Sequence, residues 1–134
     1  MARHPFTIGV LARETGVKPV TIRYYEKSGL LPAPARTDGN YRLYSAQHAQ
    51  RLRFIRKCRD LGFSLDQIRG LLRLSSERDQ SCEEINRVTG QRLAEVEKKL
   101  QDLRRLAAEL RRLNERCKGG GLVADCRIIE ALSS

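Results

Sequence analysis

Residues 7–29 read TIGVLARETGVKPVTIRYYEKSG, and the punctuation of this stretch decides the fold. Thr7 is a helix-capping residue, and Ile8, Leu11 and Ala12 follow at helical spacing, which predicts a first short helix over Ile8 to Thr15. Gly16 ends it. Pro19 suits the first turn of a second helix, about Lys18 to Ser28, which Gly29 closes. Two short helices joined by a tight glycine-containing turn form the helix-turn-helix pattern.

Working outward, Leu30 to Arg36 carries Pro32 and Pro34 and reads as extended. Asp38-Gly39 is a hairpin turn signal, and Tyr41-Arg42-Leu43-Tyr44 alternates as a short strand does. A hairpin after two helices looks like a wing. Ser45 is placed to cap a third helix ending near Leu61, with Leu52, Ile55 and Cys58 on one face. Ser64-Leu65-Asp66-Gln67 is a capping box opening a fourth helix, with Leu65, Ile68, Leu71 and Leu72 inward. A polar break over Ser75 to Asp79 follows. The expected class is mainly α, with a winged helix-turn-helix DNA-binding domain over residues 1–76.

Ser81-Cys82-Glu83-Glu84 reads as another capping box, opening one long helix from about Cys82 to Arg116. A strict four-three spacing runs down it through Leu93, Val96, Leu100, Leu103, Ala107 and Leu110, the seam of a coiled coil. One helix cannot bury that stripe on itself, and a second copy of the chain is the simplest cover. Residues 77–117 are therefore assigned to a dimerisation helix. Residues 118–134, a glycine loop followed by Ile128, Ile129 and Leu132, become a metal-binding loop and short terminal helix.

The charge balance supports this division. The 134 residues hold 26 Lys and Arg against 16 Asp and Glu, a net charge of +10. Residues 1–76 contribute 14 and 5, net +9, and residues 77–134 contribute 12 and 11, net +1. A basic folded module suits a polyanion, and nucleic acid leads over an anionic membrane or an acidic protein. No apolar run approaches the roughly 20 residues of a membrane span. The start, Met1-Ala2-Arg3-His4-Pro5, has no apolar region behind it to suggest an export signal. A cytoplasmic, reducing location is expected, where cysteines serve packing, metal or redox chemistry. No nucleophile–base pair or open metal site suggests an enzyme.

Two constellations carry chemistry. On the winged unit, Lys18, Thr21, Arg23, Tyr24 and Lys27 lie on or near the second helix. Tyr41 and Arg42 lie on the wing, and Arg51, Arg53, Arg56, Lys57 and Arg59 on the third helix. A helix in the major groove reads base edges, while flanking Arg, Lys and Tyr hold phosphates. The competing reading is a solvated charged surface. The second constellation is cysteine. Cys58, on an apolar helix face, reads as core. Cys117 and Cys126 bracket a loop with three glycines that can fold back and bring two thiolates onto one ion. Cys82 precedes Cys117 by 35 residues on the same seam, about 52 Å within one helix. It cannot join them within one chain. If two helices pair antiparallel, Cys82 of one lies beside Cys117 of the other, and three thiolates meet. Such a set, without histidine in the loop, suits a soft divalent ion such as Hg, Pb or Cd. Asp125 is a possible harder fourth ligand, and solvent exposure is its plainer role. A Cys117–Cys126 redox switch, or an architectural DNA-binding protein with structural cysteines, are the other classes.

With these residues in hand, the chain resembles the MerR family of metal-responsive transcription regulators. The motifs are Phe6-Thr7-Ile8-Gly9-Val10-Leu11-Ala12, Thr21-Ile22-Arg23-Tyr24-Tyr25-Glu26, Asn40-Tyr41-Arg42-Leu43-Tyr44 and Leu61-Gly62-Phe63-Ser64-Leu65-Asp66-Gln67-Ile68. The resemblance implies a homodimer with an antiparallel coiled coil, bound to a palindromic operator in double-stranded promoter DNA with an overlong spacer. It implies that metal binding changes the dimer so that the DNA is underwound and RNA polymerase can engage both promoter elements. It implies that Arg23, Tyr24, Tyr41, Arg42 and Arg59 contact or brace DNA, and that Cys82, Cys117 and Cys126 are the metal cysteines. Zinc-sensing members carry a further cysteine where Arg116 stands here, and a loop histidine absent here. Mercury, lead or cadmium is therefore expected ahead of zinc.

Overall fold

The computed structural model describes residues 6–134. The export-signal reading of residues 1–5 lies outside them. The chain divides into two compact units, Met1–Val88 and Thr89–Ser134.

The first unit opens with α1 (Ile8–Thr15) and α2 (Pro19–Lys27). The Thr7 side chain accepts from the Val10 N–H at 3.3 Å, and Pro19 stands at the start of α2, with Lys18 as the capping residue. Gly16 takes φ +71° and its N–H donates to the Ala12 carbonyl, closing α1. The positive φ favours glycine, and a Cβ there would lie 2.0 Å from Arg56 Nη1, so that the arginine would have to shift.

The wing is β1 (Ala35–Arg36) paired antiparallel with β2 (Arg42–Leu43). Asp38-Gly39 forms its turn, as expected, with the Asn40 N–H donating to the Thr37 carbonyl at 2.8 Å. Residues 37–41 form the loop, because Ala35 pairs with Leu43 and Arg36 with Arg42. Asn40, not Gly39, adopts the left-handed conformation, at φ +68°. Thr37 closes the loop by accepting the Tyr41 N–H on its hydroxyl and donating its own N–H to the Tyr41 carbonyl. The strand forms at Arg42–Leu43, but burial rises steadily from Tyr41 to Tyr44 and does not alternate. Tyr44 is fully buried and bridges to Phe6, which fastens the wing to the chain entering α1.

Next come α3 (Ala46–Asp60) and α4 (Leu65–Ser75). The Ser64–Gln67 capping box forms as expected. A second box forms at Ser45, where the reciprocal partner is His48. Leu11, Ile22, Leu30, Leu31, Tyr44, Leu52, Ile55 and Ile68 are fully buried at the centre, and Cys58 packs among them. Burial pushes the Cys58 thiol up, which makes it an unreactive packing residue.

The long helix α5 spans Glu83–Arg116 without interruption. Its capping differs from expectation. Ser81 accepts only from Glu83 N–H, at 3.4 Å, and the Cys82 carbonyl takes the first helical bond from Asn86 at 2.9 Å. The start is therefore one residue later than the box requires, and Cys82 is the capping residue. Ile85 and Val88 pack on the first unit's core, so compact packing continues past the polar break. Beyond them Leu93, Val96, Leu100, Leu103, Leu106 and Leu110 are all exposed in the single chain. A short 3-10 turn (Val123–Asp125) and α6 (Arg127–Leu132) complete the second unit. No described helix is long and apolar enough to cross a membrane.

Candidate nucleic-acid interface and thiol site

The candidate DNA residues occupy α2, its cap and the wing. Lys18, Arg23 and Tyr24 are exposed, and Thr21 is half-buried. On the wing Tyr41 is 75% exposed, its ring lying against Gly39. Arg42 is half-buried, with Nε 3.8 Å from Glu26 Oε2 and lacking a hydrogen-bond acceptor. Arg59, at the end of α3, is exposed but donates from Nη1 to the Phe63 carbonyl at 2.8 Å.

Several arginines that looked equivalent in the sequence serve the fold. Arg56 donates to the Thr15 carbonyl at 2.9 Å, and Arg51 to the Leu30 carbonyl at 2.7 Å. Arg69 donates to the Ser28 carbonyl at 2.8 Å. Each satisfies a carbonyl at or just beyond a helix end, where the macrodipole also favours a cation. Part of the basic excess is thus internal fastening.

Sequence reasoning missed two polar residues, Glu26 and His48. Glu26, near the end of α2, accepts a short hydrogen bond from the Tyr44 hydroxyl and pairs with Arg42. Burial first, and then the Glu26 hydrogen bond and charge, push the Tyr44 pKa far up, against smaller opposing effects of Arg42 and Arg23. His48 Nδ1 accepts the Ser45 N–H at 3.1 Å, so Nε2 carries the proton and donates to the Pro32 carbonyl at 3.0 Å. Its ring meets that of Tyr44 edge-on, with centroids 5.4 Å apart. A glutamate 18 residues before its tyrosine partner leaves no local sequence signal. The Ser45-to-His48 spacing was a signal, overlooked because boxes normally close with Glu or Gln.

In the second unit the loop after α5 folds back as expected. Cys117 follows the last residue of α5, and Cys126 caps α6. Both cysteines line one open cavity of about 410 Å³, together with Gly119, Gly120 and Asp125, among others. Backbone N–H groups of Ile129 and Ile128, and then the Cys117 thiol, hold the Cys126 pKa below the ordinary thiol value. Asp125 is exposed at the rim. Cys82, at the opposite end of α5, is exposed too. No group of three His, Cys, Asp or Glu able to hold a metal occurs among the described residues of one chain. Two soft donors lining one cavity are the kind of ligand a thiophilic ion takes.

A helix-turn-helix with a wing, followed by a long helix, defines the class: a DNA-binding regulator. Family comparison agrees. Residues 6–75 match the MerR HTH family regulatory protein, and residues 49–113 match the MerR DNA-binding region. The chain is 42% identical over 129 residues to the HTH-type transcriptional regulator ZntR of Escherichia coli, covering 95% of this chain and 92% of that protein. It is 40% identical over 127 residues to the mercuric resistance operon regulatory protein of Bacillus cereus, covering 95% and 96%. The crystal structure of a transcription regulator from Ralstonia metallidurans in complex with lead(II) is similar at a TM-score of 0.81 and 40% identity, covering 95% of this chain and 98% of that one. The chain belongs to the MerR family of helix-turn-helix transcription regulators, and is a regulator rather than an enzyme.

Proposed function

We propose that this protein is a cytoplasmic, homodimeric, metal-responsive transcription regulator that binds promoter DNA through its two winged units and acts on RNA polymerase there. The observation that carries the metal reading is the Cys117–Cys126 thiol pair beside an open cavity, with the third exposed thiol, Cys82, capping the far end of the same helix. Antiparallel pairing of two α5 helices through their uncovered leucines supplies Cys82 from a second copy to each pair. When bound, a thiophilic divalent ion supplies the cross-link between the two copies.

The chain's own residues prepare the site. The glycine loop lets Cys126 turn back to Cys117, and the α6 N–H groups favour its thiolate. Three thiolates favour mercury, lead or cadmium over zinc, which ordinarily takes four ligands. Relatives named for mercury resistance and solved with lead(II) support a thiophilic effector. On the DNA side, Lys18, Thr21, Arg23 and Tyr24 of the second helix face the groove and its phosphates. Tyr41 and Arg42 hold phosphates from the wing, and Arg59 braces the junction.

The test is metal titration of the reduced dimer, read by thiolate charge-transfer absorption and by in vitro transcription. Cys82→Ser should weaken binding at least tenfold and abolish activation; a variant binding metal as tightly as wild type would refute the shared site. The shared cavity also favours a second reading. The two thiols form a disulfide when hydrogen peroxide accepts their two electrons and, with the two thiol protons, leaves as two waters. Peroxide-driven transcription that no metal reproduces would decide for that switch.

A further inference from the structure

Glu26 is a carboxylate on α2 whose side chain is only 12% exposed, a costly place for a negative charge. Its surroundings explain why it is there. The Tyr44 hydroxyl donates to Oε1, and Arg42 Nε faces Oε2 at 3.8 Å. Both partners come from the wing strand, so one carboxylate at the end of α2 grips the strand at alternate residues. The opposite side of the wing is tied separately: His48 donates to the Pro32 carbonyl, ahead of β1, while its ring supports Tyr44. Arg42 itself is 36% exposed, and the Glu26 pair is its only ion pair among the described residues. Its guanidinium is therefore aimed by Glu26 while part of it remains open to solvent.

Arg23 adds a second reason. It lies one helical turn before Glu26 and close enough to act on the Tyr44 hydroxyl, as Arg42 does. Two guanidiniums from separate elements repel unless an anion stands between them. A neutral residue at position 26 would let the wing arginine swing away from α2.

We propose that Glu26 is a positioning residue for DNA binding: its carboxylate sets Arg42 at a defined place relative to α2, so that helix and wing engage the phosphate backbone together. The proposal rests on the wing being a DNA contact, and the experiment separates the two claims. The full-length protein is titrated onto a duplex carrying its own upstream promoter region, over a series of salt concentrations, with circular dichroism confirming the fold of each variant. Arg42→Ala should weaken binding roughly tenfold and flatten the slope of log affinity against log salt by about one, as loss of one phosphate contact does. Glu26→Gln, which keeps an acceptor for Tyr44 but removes the charge, should give most of the same loss. The double variant should be no weaker than Arg42→Ala. Arg42→Lys, which leaves Glu26 and its bond to Tyr44 in place, keeps the charge but not the guanidinium geometry. It should bind like Glu26→Gln, and it carries the test if that variant does not fold. Full binding by Glu26→Gln or Arg42→Lys while Arg42→Ala is weak overturns the positioning role and leaves the interface standing. Additive losses in the double variant overturn it as well. Unchanged binding by Arg42→Ala removes the wing contact itself, and the positioning role with it.

Discussion

Tyr44 concentrates what single residues do in this protein. It is fully buried, donates to Glu26 and packs edge-on against His48. Its pKa is raised because burial and the adjacent carboxylate both oppose a phenolate. In the unfolded chain a tyrosine loses its proton near 10. Above that pH the unfolded state binds fewer protons than the folded one, so stability falls as pH rises. Urea unfolding should show this alkaline loss in the wild type and a smaller one in Tyr44→Phe, with Tyr25, also raised by burial, keeping the remainder. At neutral pH the same variant should be less stable by about 1–3 kcal/mol, because a buried carboxylate is left short of a donor. An unchanged alkaline limb would show that Tyr44 ionises freely in the fold. None of this was legible in the sequence, where Tyr44 read only as the end of a strand. Gly16 was legible as a stop, but not Arg56, which comes from α3 to occupy the space above it.

At the scale of elements, local chemistry was legible wherever the capping residue and its helix are contiguous. Thr7, Ser45 and Ser64 cap α1, α3 and α4, and each was read from its neighbours. Ser81 shows the limit. The motif looks like that at Ser64, but its hydrogen bond is longer and reaches Glu83 only. Ser64→Ala should therefore cost about 0.5–2 kcal/mol, within the usual range for a lost cap. Ser81→Ala should cost a small fraction of that, and equal shifts in the two urea midpoints would contradict the difference in capping. The Asp38-Gly39 turn was legible for the same reason of contiguity, whereas the bridge of Tyr44 to Phe6 and its bond to Glu26 join residues distant in sequence.

For the whole molecule, the leucine stripe of α5 is the largest unsettled account. Leu103 is 61% exposed in the single chain, and its neighbours along the seam are similarly uncovered. If a second copy covers them, a charge at the centre cannot be accommodated. Leu103→Lys should sediment as a monomer, and its metal affinity should fall to that of Cys82→Ser, since Cys117 and Cys126 are then left alone. A variant that stays dimeric would place the dimer contact elsewhere. The thiol site is legible only in this way, as parts: spacing marked the three cysteines, while the cavity that two of them line depends on how the loop closes.

The sequence by itself determined the element order, the division of charge, the core faces of α3 and α4 and the family, because these rest on contiguous periodicity and capping. Tertiary structure alone decided which basic side chains are spent on carbonyls and which stay open. It also decided that Glu26 and His48 hold the wing from two sides. Those outcomes turn on hydrogen bonds and ion pairs between residues far apart along the chain, whose partners are chosen by packing and not by spacing.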